Sequence, residues 1–106
     1  MNSMKEVYTK LKNNYKKLDI VYNDNNTIDI NYNSYTIHAE EKLVELSKSL
    51  CYVNHKVNKN YREVYKTIVS YLKDPEGYIN GKRRQIVIVL IISLMLTICI
   101  GLILGL

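Results

Sequence analysis

Apolar and polar positions change their period several times along this chain. From Met4 to Leu18 the apolar residues Met4, Val7, Tyr8, Leu11, Tyr15 and Leu18 recur at the spacing of one helix face, with lysines opposite, which predicts an amphipathic helix. Between Asp19 and His38 the pattern alternates: Ile20 and Tyr22, then Ile28, Ile30 and Tyr32, then Tyr35 and Ile37, around the turn signal Asn23-Asp24-Asn25-Asn26. Such alternation predicts a β-hairpin with room for a third short strand. Helical spacing returns from Ala39 with Leu43, Leu46, Leu50, Val53 and Val57, and after a phase shift with Tyr61, Val64, Ile68 and Tyr71 or Leu72. Asn54, His55, Asn58 and Asn60 are weak helix formers, so a bent helix or a helical hairpin competes here with one continuous rod. Asp74-Pro75-Glu76-Gly77 is expected to stop the helix.

The final pattern is an unbroken apolar run. Ile86 to Leu106 carries no charged side chain and follows directly on Lys82, Arg83 and Arg84. At roughly 1.5 Å per residue it would form a helix about 30 Å long, enough to cross the hydrocarbon of a bilayer once. Three parts follow: an α+β domain over 1–77, a basic juxtamembrane linker over 78–85, and a transmembrane helix over 86–106. Inside the span, Ser93, Thr97, Gly101 and Gly105 recur every fourth residue, a small-residue stripe of the kind that lets two helices approach closely in lipid.

Composition and charge orient this plan. All fifteen Lys and Arg precede the apolar run, which by the positive-inside rule puts the domain in the cytosol. The first twenty residues hold five lysines and no apolar core, so no signal peptide is expected, and the topology reads as tail-anchored and single-pass. An endoplasmic-reticulum-derived or viral membrane fits better than the mitochondrial outer membrane. The two cysteines, Cys51 and Cys99, offer no internal disulfide framework, because Cys99 lies in the span. Ten tyrosines with no Phe or Trp leave aromatic packing to side chains that keep a hydroxyl near water or a partner, and a deep, dry core is not expected. Charge alternates from basic before Asp19 to acidic over 19–55 and back to basic over 56–73, which suggests complementarity within the domain or between copies. The basic flank of the span suits an anionic cytosolic leaflet.

Little in the chain points to chemistry. Cys51 and His55 stand four apart, which on a helix would bring a thiol and an imidazole to one face, but two such groups make neither a metal site nor a nucleophile and base in a triad. Glu40, Glu41 and Glu45 read as the acidic first turn of the helix expected after Ala39. No nucleotide-binding, hydrolase or metalloprotease pattern occurs, and no cofactor, small-molecule substrate or nucleic acid is implied. The tyrosine-based tetrads Tyr8-Thr9-Lys10-Leu11, Tyr15-Lys16-Lys17-Leu18, Tyr61-Arg62-Glu63-Val64 and Tyr65-Lys66-Thr67-Ile68 match sorting signals in form, but amphipathic helices generate them automatically.

The expectation is therefore a non-enzymatic structural, assembly or adaptor subunit whose domain makes protein contacts and whose span self-associates or packs on a partner membrane protein. In a viral setting it would be a virion or replication-membrane component. The alternative is a fusion or tethering factor: the heptad-like segment 43–72 just before the span resembles the layout of SNARE proteins, with Leu43, Leu46, Leu50 and Val53 as the interaction face. That resemblance covers this stretch alone, is interrupted near Val57 and lacks a central-layer glutamine. A pore-forming peptide fits least, since Ser93 and Thr97 alone would line its lumen.

Overall fold

The computed structural model describes residues 2–58 and 60–105. It has an α+β architecture: helix α1 (Met4–Asn14), strands β1 (Asp19–Tyr22), β2 (Ile28–Tyr32), β3 (Tyr35–Ala39), β4 (Leu43–Lys48) and β5 (Cys51–Lys56), then helices α2 (Tyr61–Lys73) and α3 (Pro75–Leu104). The strands form one antiparallel meander in the order 1-2-3-4-5.

Turn chemistry explains the tight hairpins. Asn33 and Ser34 both have positive φ, 46° and 71°, as a two-residue type I′ turn requires, and they fix Tyr32 opposite Tyr35. Ser49 alone is positive, at 55°, in the two-residue turn that sets Lys48 against Cys51. The wider β1–β2 loop closes with the Asn23 N–H on the Thr27 carbonyl at 2.9 Å.

The register sorts side chains onto two faces. One face carries the cross-strand rows Ile20, Ile30, Ile37, Leu46, Val53 and Tyr22, Ile28, Ala39, Val44, His55. Met4, Val7 and Leu11 of α1 and Val64, Ile68 and Tyr71 of α2 are buried in the same core, joined by Ile79 of α3. The other face is open and mostly polar, with the row Val21, Asp29, His38, Glu45, Asn54.

Helix ends follow local chemistry. Ser3 caps α1 by accepting the Glu6 N–H at 3.2 Å, and Glu6 returns a bond to the Asn2 N–H at 3.0 Å. The helix stops at Asn14, short of the expected Leu18, where consecutive asparagines weaken it. Asn60 caps α2 in the same way through Glu63 N–H.

Four expectations are corrected. Residues 43–56 are strands rather than helix: Val44 and Leu46 are buried while Leu43, Glu45 and Ser47 face the other side, a period of two that the leucine spacing masked. β3 presents an unpaired edge, and pairing it with β4 satisfies a row of backbone groups that a helix there would leave open. Glu40, Glu41 and Glu45 accordingly begin no helix. The core is apolar after all, because Ile, Val, Leu and Met fill most of it; Tyr71 and Tyr35 are buried in it, Tyr8, Tyr15, Tyr22, Tyr61, Tyr65 and Tyr78 pack at its rim, and Tyr52 stands exposed on the other sheet face. Finally, α2 ends at Lys73 as expected, but Pro75 at once starts a new helix, so residues 78–85 are helical and continuous with the apolar run rather than a linker.

Candidate functional site

The most distinctive construction is the joint between the sheet and α3. A single residue, Asp74, separates α2 from α3. Its N–H bonds the Ser70 carbonyl at 3.3 Å to close α2, and its carboxylate accepts the Gly77 N–H at 3.0 Å to open α3. A Cβ at position 77 would lie 2.2 Å from Asp74 Oδ2, so any other residue there would turn the capping carboxylate aside.

Beyond the cap, Tyr78 and Ile79 enter the domain. Tyr71, Tyr78 and His55 form an aromatic cluster with ring centroids 5.0 to 5.7 Å apart, Tyr78 standing edge-on to both neighbours. The fully buried Tyr71 hydroxyl donates to the Val44 carbonyl at 3.2 Å and also meets Nδ1 of His55. One hydroxyl proton cannot serve both acceptors, and a His55 tautomer with its hydrogen on Nδ1 satisfies all three groups. Burial, with smaller contributions from Tyr78 and Glu45, pushes the Tyr71 phenol above its ordinary range, so it stays neutral. Ile79 is 1% exposed, and the Cys51 thiol lies 4.0 Å from its carbonyl.

The same helix then leaves the domain. α3 is the one helix among the described residues long and apolar enough to cross a membrane, and none of its apolar window is buried. Lys82, Arg83 and Arg84 are exposed on it just before Ile86. Ser93, Thr97 and Gly101 lie on α3 and Gly105 caps its end. The Thr97 hydroxyl donates to the Ser93 carbonyl at 2.9 Å, and a Cβ at Gly101 would meet open space.

The set Leu43, Leu46, Leu50 and Val53 does not form one surface. Leu46 is fully buried, Val53 packs beside it as its cross-strand partner, Leu43 lies on the opposite sheet face, and Leu50 projects entirely from the β4–β5 turn. The heptad-like helix of the fusion-factor reading is therefore a β-hairpin followed by a separate helix. Cys51 and His55 share a face of β5 but stand about 13 Å apart along it, each occupied with a different part of α3. The tyrosine tetrads are folded, with Leu11, Val64 and Ile68 in the core.

One polar cluster was not anticipated. On the open face His38 Nδ1 meets Asp29 Oδ1 at 2.6 Å and Nε2 meets Glu40 Oε1 at 3.3 Å, while Asn23 donates to Asp29 Oδ2 at 2.6 Å. The bond to Asp29 raises the His38 pKa, against some burial and with help from Glu40. Burial pushes Asp29 upward, but the bonds from His38 and Asn23 outweigh it and hold the carboxyl below its usual range. The signal was present: a two-residue turn at Asn33-Ser34 places position 29 opposite position 38. Among the described residues no group of three or more His, Cys, Asp or Glu is arranged to hold a metal ion. No family model, curated protein or solved structure matches the chain.

Proposed function

We propose that this protein is a membrane-anchored structural, assembly or adaptor subunit, whose α+β domain is held rigidly against the cytosolic face of a membrane and makes protein contacts there. The observation that carries this reading is the continuity of α3, which is part of the domain core at Ile79 and exposed and apolar from Ile86. A flexible tether would let a domain search for partners at a distance. A helix shared by domain and span instead fixes the height and the facing of the domain, as suits a component of an assembly.

The cytosolic orientation rests on Lys82, Arg83 and Arg84 beside the span. Association through the span rests on the Ser93, Thr97, Gly101 and Gly105 stripe, which is free of contacts with the domain. Extraction from the native membrane in a mild detergent, followed by measurement of mass and composition, tests the reading. A homo-oligomer or a stoichiometric second protein is expected. A monodisperse monomer across detergents that preserve membrane complexes would overturn it.

A further inference from the structure

The joint also determines which part of the domain meets the membrane surface. In an α-helix side chains lean toward the N-terminus and carbonyls point toward the C-terminus. The Tyr78 ring reaches back to His55, near the end of β5, whereas the Ile79 carbonyl points forward to Cys51, at its start. Cys51 and the β4–β5 turn before it therefore lie on the side of the domain from which α3 departs toward the bilayer.

Leu50 forms the tip of that turn and is 101% exposed. Turns normally carry polar residues, and a two-residue hairpin gives no reason for leucine here. Tyr52, two residues on, is 54% exposed on the open face, so two of the three large apolar side chains that the described part of the domain leaves in solvent sit at this one hairpin. Ile86 lies about 10 Å along α3 from Ile79, and Leu50 is one strand residue beyond Cys51, so with α3 upright in a bilayer its side chain would come level with a headgroup layer roughly 5–7 Å thick. The flanking charges agree. Lys48 adjoins the turn, and the exposed Lys16 and Lys17 precede β1 at this same end of the sheet, with Asp19 as the one acid among them. Among the described residues the opposite loops carry Asp24, Glu40 and Glu41, partly offset by Lys42 and Lys56.

We infer that the β4–β5 turn is a second membrane contact: Leu50 dips into the lipid interface beside the span, with Tyr52 and Lys48 at headgroup level. Two contacts would stop the domain from pivoting on α3 and turn the acidic loops away from the bilayer. The inference rests on the membrane-anchor reading.

The chain has no tryptophan, so single-tryptophan variants of the full-length protein report depth directly. In vesicles of phosphatidylcholine with anionic phosphatidylserine, Leu50→Trp should emit at shorter wavelength than in detergent-free buffer peptides and lose more than half its intensity to lipids brominated near the headgroup. Asp24→Trp, at the opposite end, should stay quenchable by aqueous iodide and not by lipid, although losing an acid favours the bilayer. Leu94→Trp reports the span itself. If Leu94→Trp is quenched by mid-chain bromines while Leu50→Trp behaves like Asp24→Trp, the turn contact is wrong and the anchor stands. If Leu94→Trp is not quenched by lipid, the anchor reading fails and this inference with it.

Discussion

The two ends of α3 belong to one helix but have opposite surroundings, one buried in the domain and one apolar and exposed. Its first turns put Tyr78 against the His55 and Tyr71 rings and bury Ile79 completely, while from Ile86 to Leu104 every large apolar side chain is between 45% and 81% exposed. Nothing in backbone geometry separates the two regions. What separates them is the partner each apolar surface finds: the protein core at one end and, under our reading, lipid at the other. On that reading the hydrophobic effect is satisfied twice along a single rod, with Lys82, Arg83 and Arg84 at the boundary.

The sharpest way to break this comparison is to make the same substitution on both sides. Ile79→Ala leaves a cavity in the domain core and should cost about 2–5 kcal/mol of domain stability, read by denaturant unfolding of the full-length protein in detergent micelles. Ile91→Ala on the same helix should leave that transition unchanged. Equal losses would mean that the span packs on the domain.

Tyr71→Phe comes next. It removes the hydroxyl that joins β4, His55 and α2, and leaving the Val44 carbonyl without that donor should cost about 1–3 kcal/mol in the same unfolding assay. The cap is smaller still. Gly77→Val should displace the Asp74 carboxylate and lower stability by about 1 kcal/mol, with little further loss when combined with Asp74→Ala, because both variants remove the same bond. On the lipid side, Gly101→Leu with Gly105→Leu should leave the domain transition unchanged and abolish crosslinked oligomers in membranes; unaltered crosslinking would contradict association through that stripe.

The smallest effect belongs to the open sheet face. Because His38 is raised, its contribution is complete below about pH 6.5 and is lost as pH rises through the folded value; because Asp29 is lowered, its contribution is complete above about pH 4 and is lost as pH falls through its folded value. The pair should therefore stabilise most between those limits. Both side chains are 39% exposed, so solvent screening keeps the effect to about 1 kcal/mol at most. His38→Gln should flatten the dependence of the unfolding midpoint on pH across this range, and an unchanged profile would remove the pair from the account.

Which elements the sequence revealed follows from how local their causes are. α1, α2 and the first two hairpin strands carry their own period, and the alternation through Tyr35 and Ile37 leaves room for β3 as a third strand. β4 and β5 were misread because Leu43, Leu46, Leu50 and Val53 mimic a helix, while the decisive residues, Val44 beside Leu46 and Ser49 in its left-handed turn, are informative only once β3 is available as a template. The joint was hidden for a related reason. Asp74-Pro75-Glu76-Gly77 stops one helix and starts another, and proline at the first helical position is compatible with either function. The apolar run, by contrast, stands out in the sequence because its length matches a bilayer crossing and no charge interrupts it.

Domain and apolar run share one uninterrupted helix, α3. Hydrogen–deuterium exchange of the full-length protein in lipid vesicles tests it at the amides from Gly81 to Gln85, which lie between the domain core and the apolar span. The account predicts slow exchange there, continuous with Ile79 on one side and the span on the other. Rapid, unprotected exchange confined to those residues would show a flexible linker and contradict it.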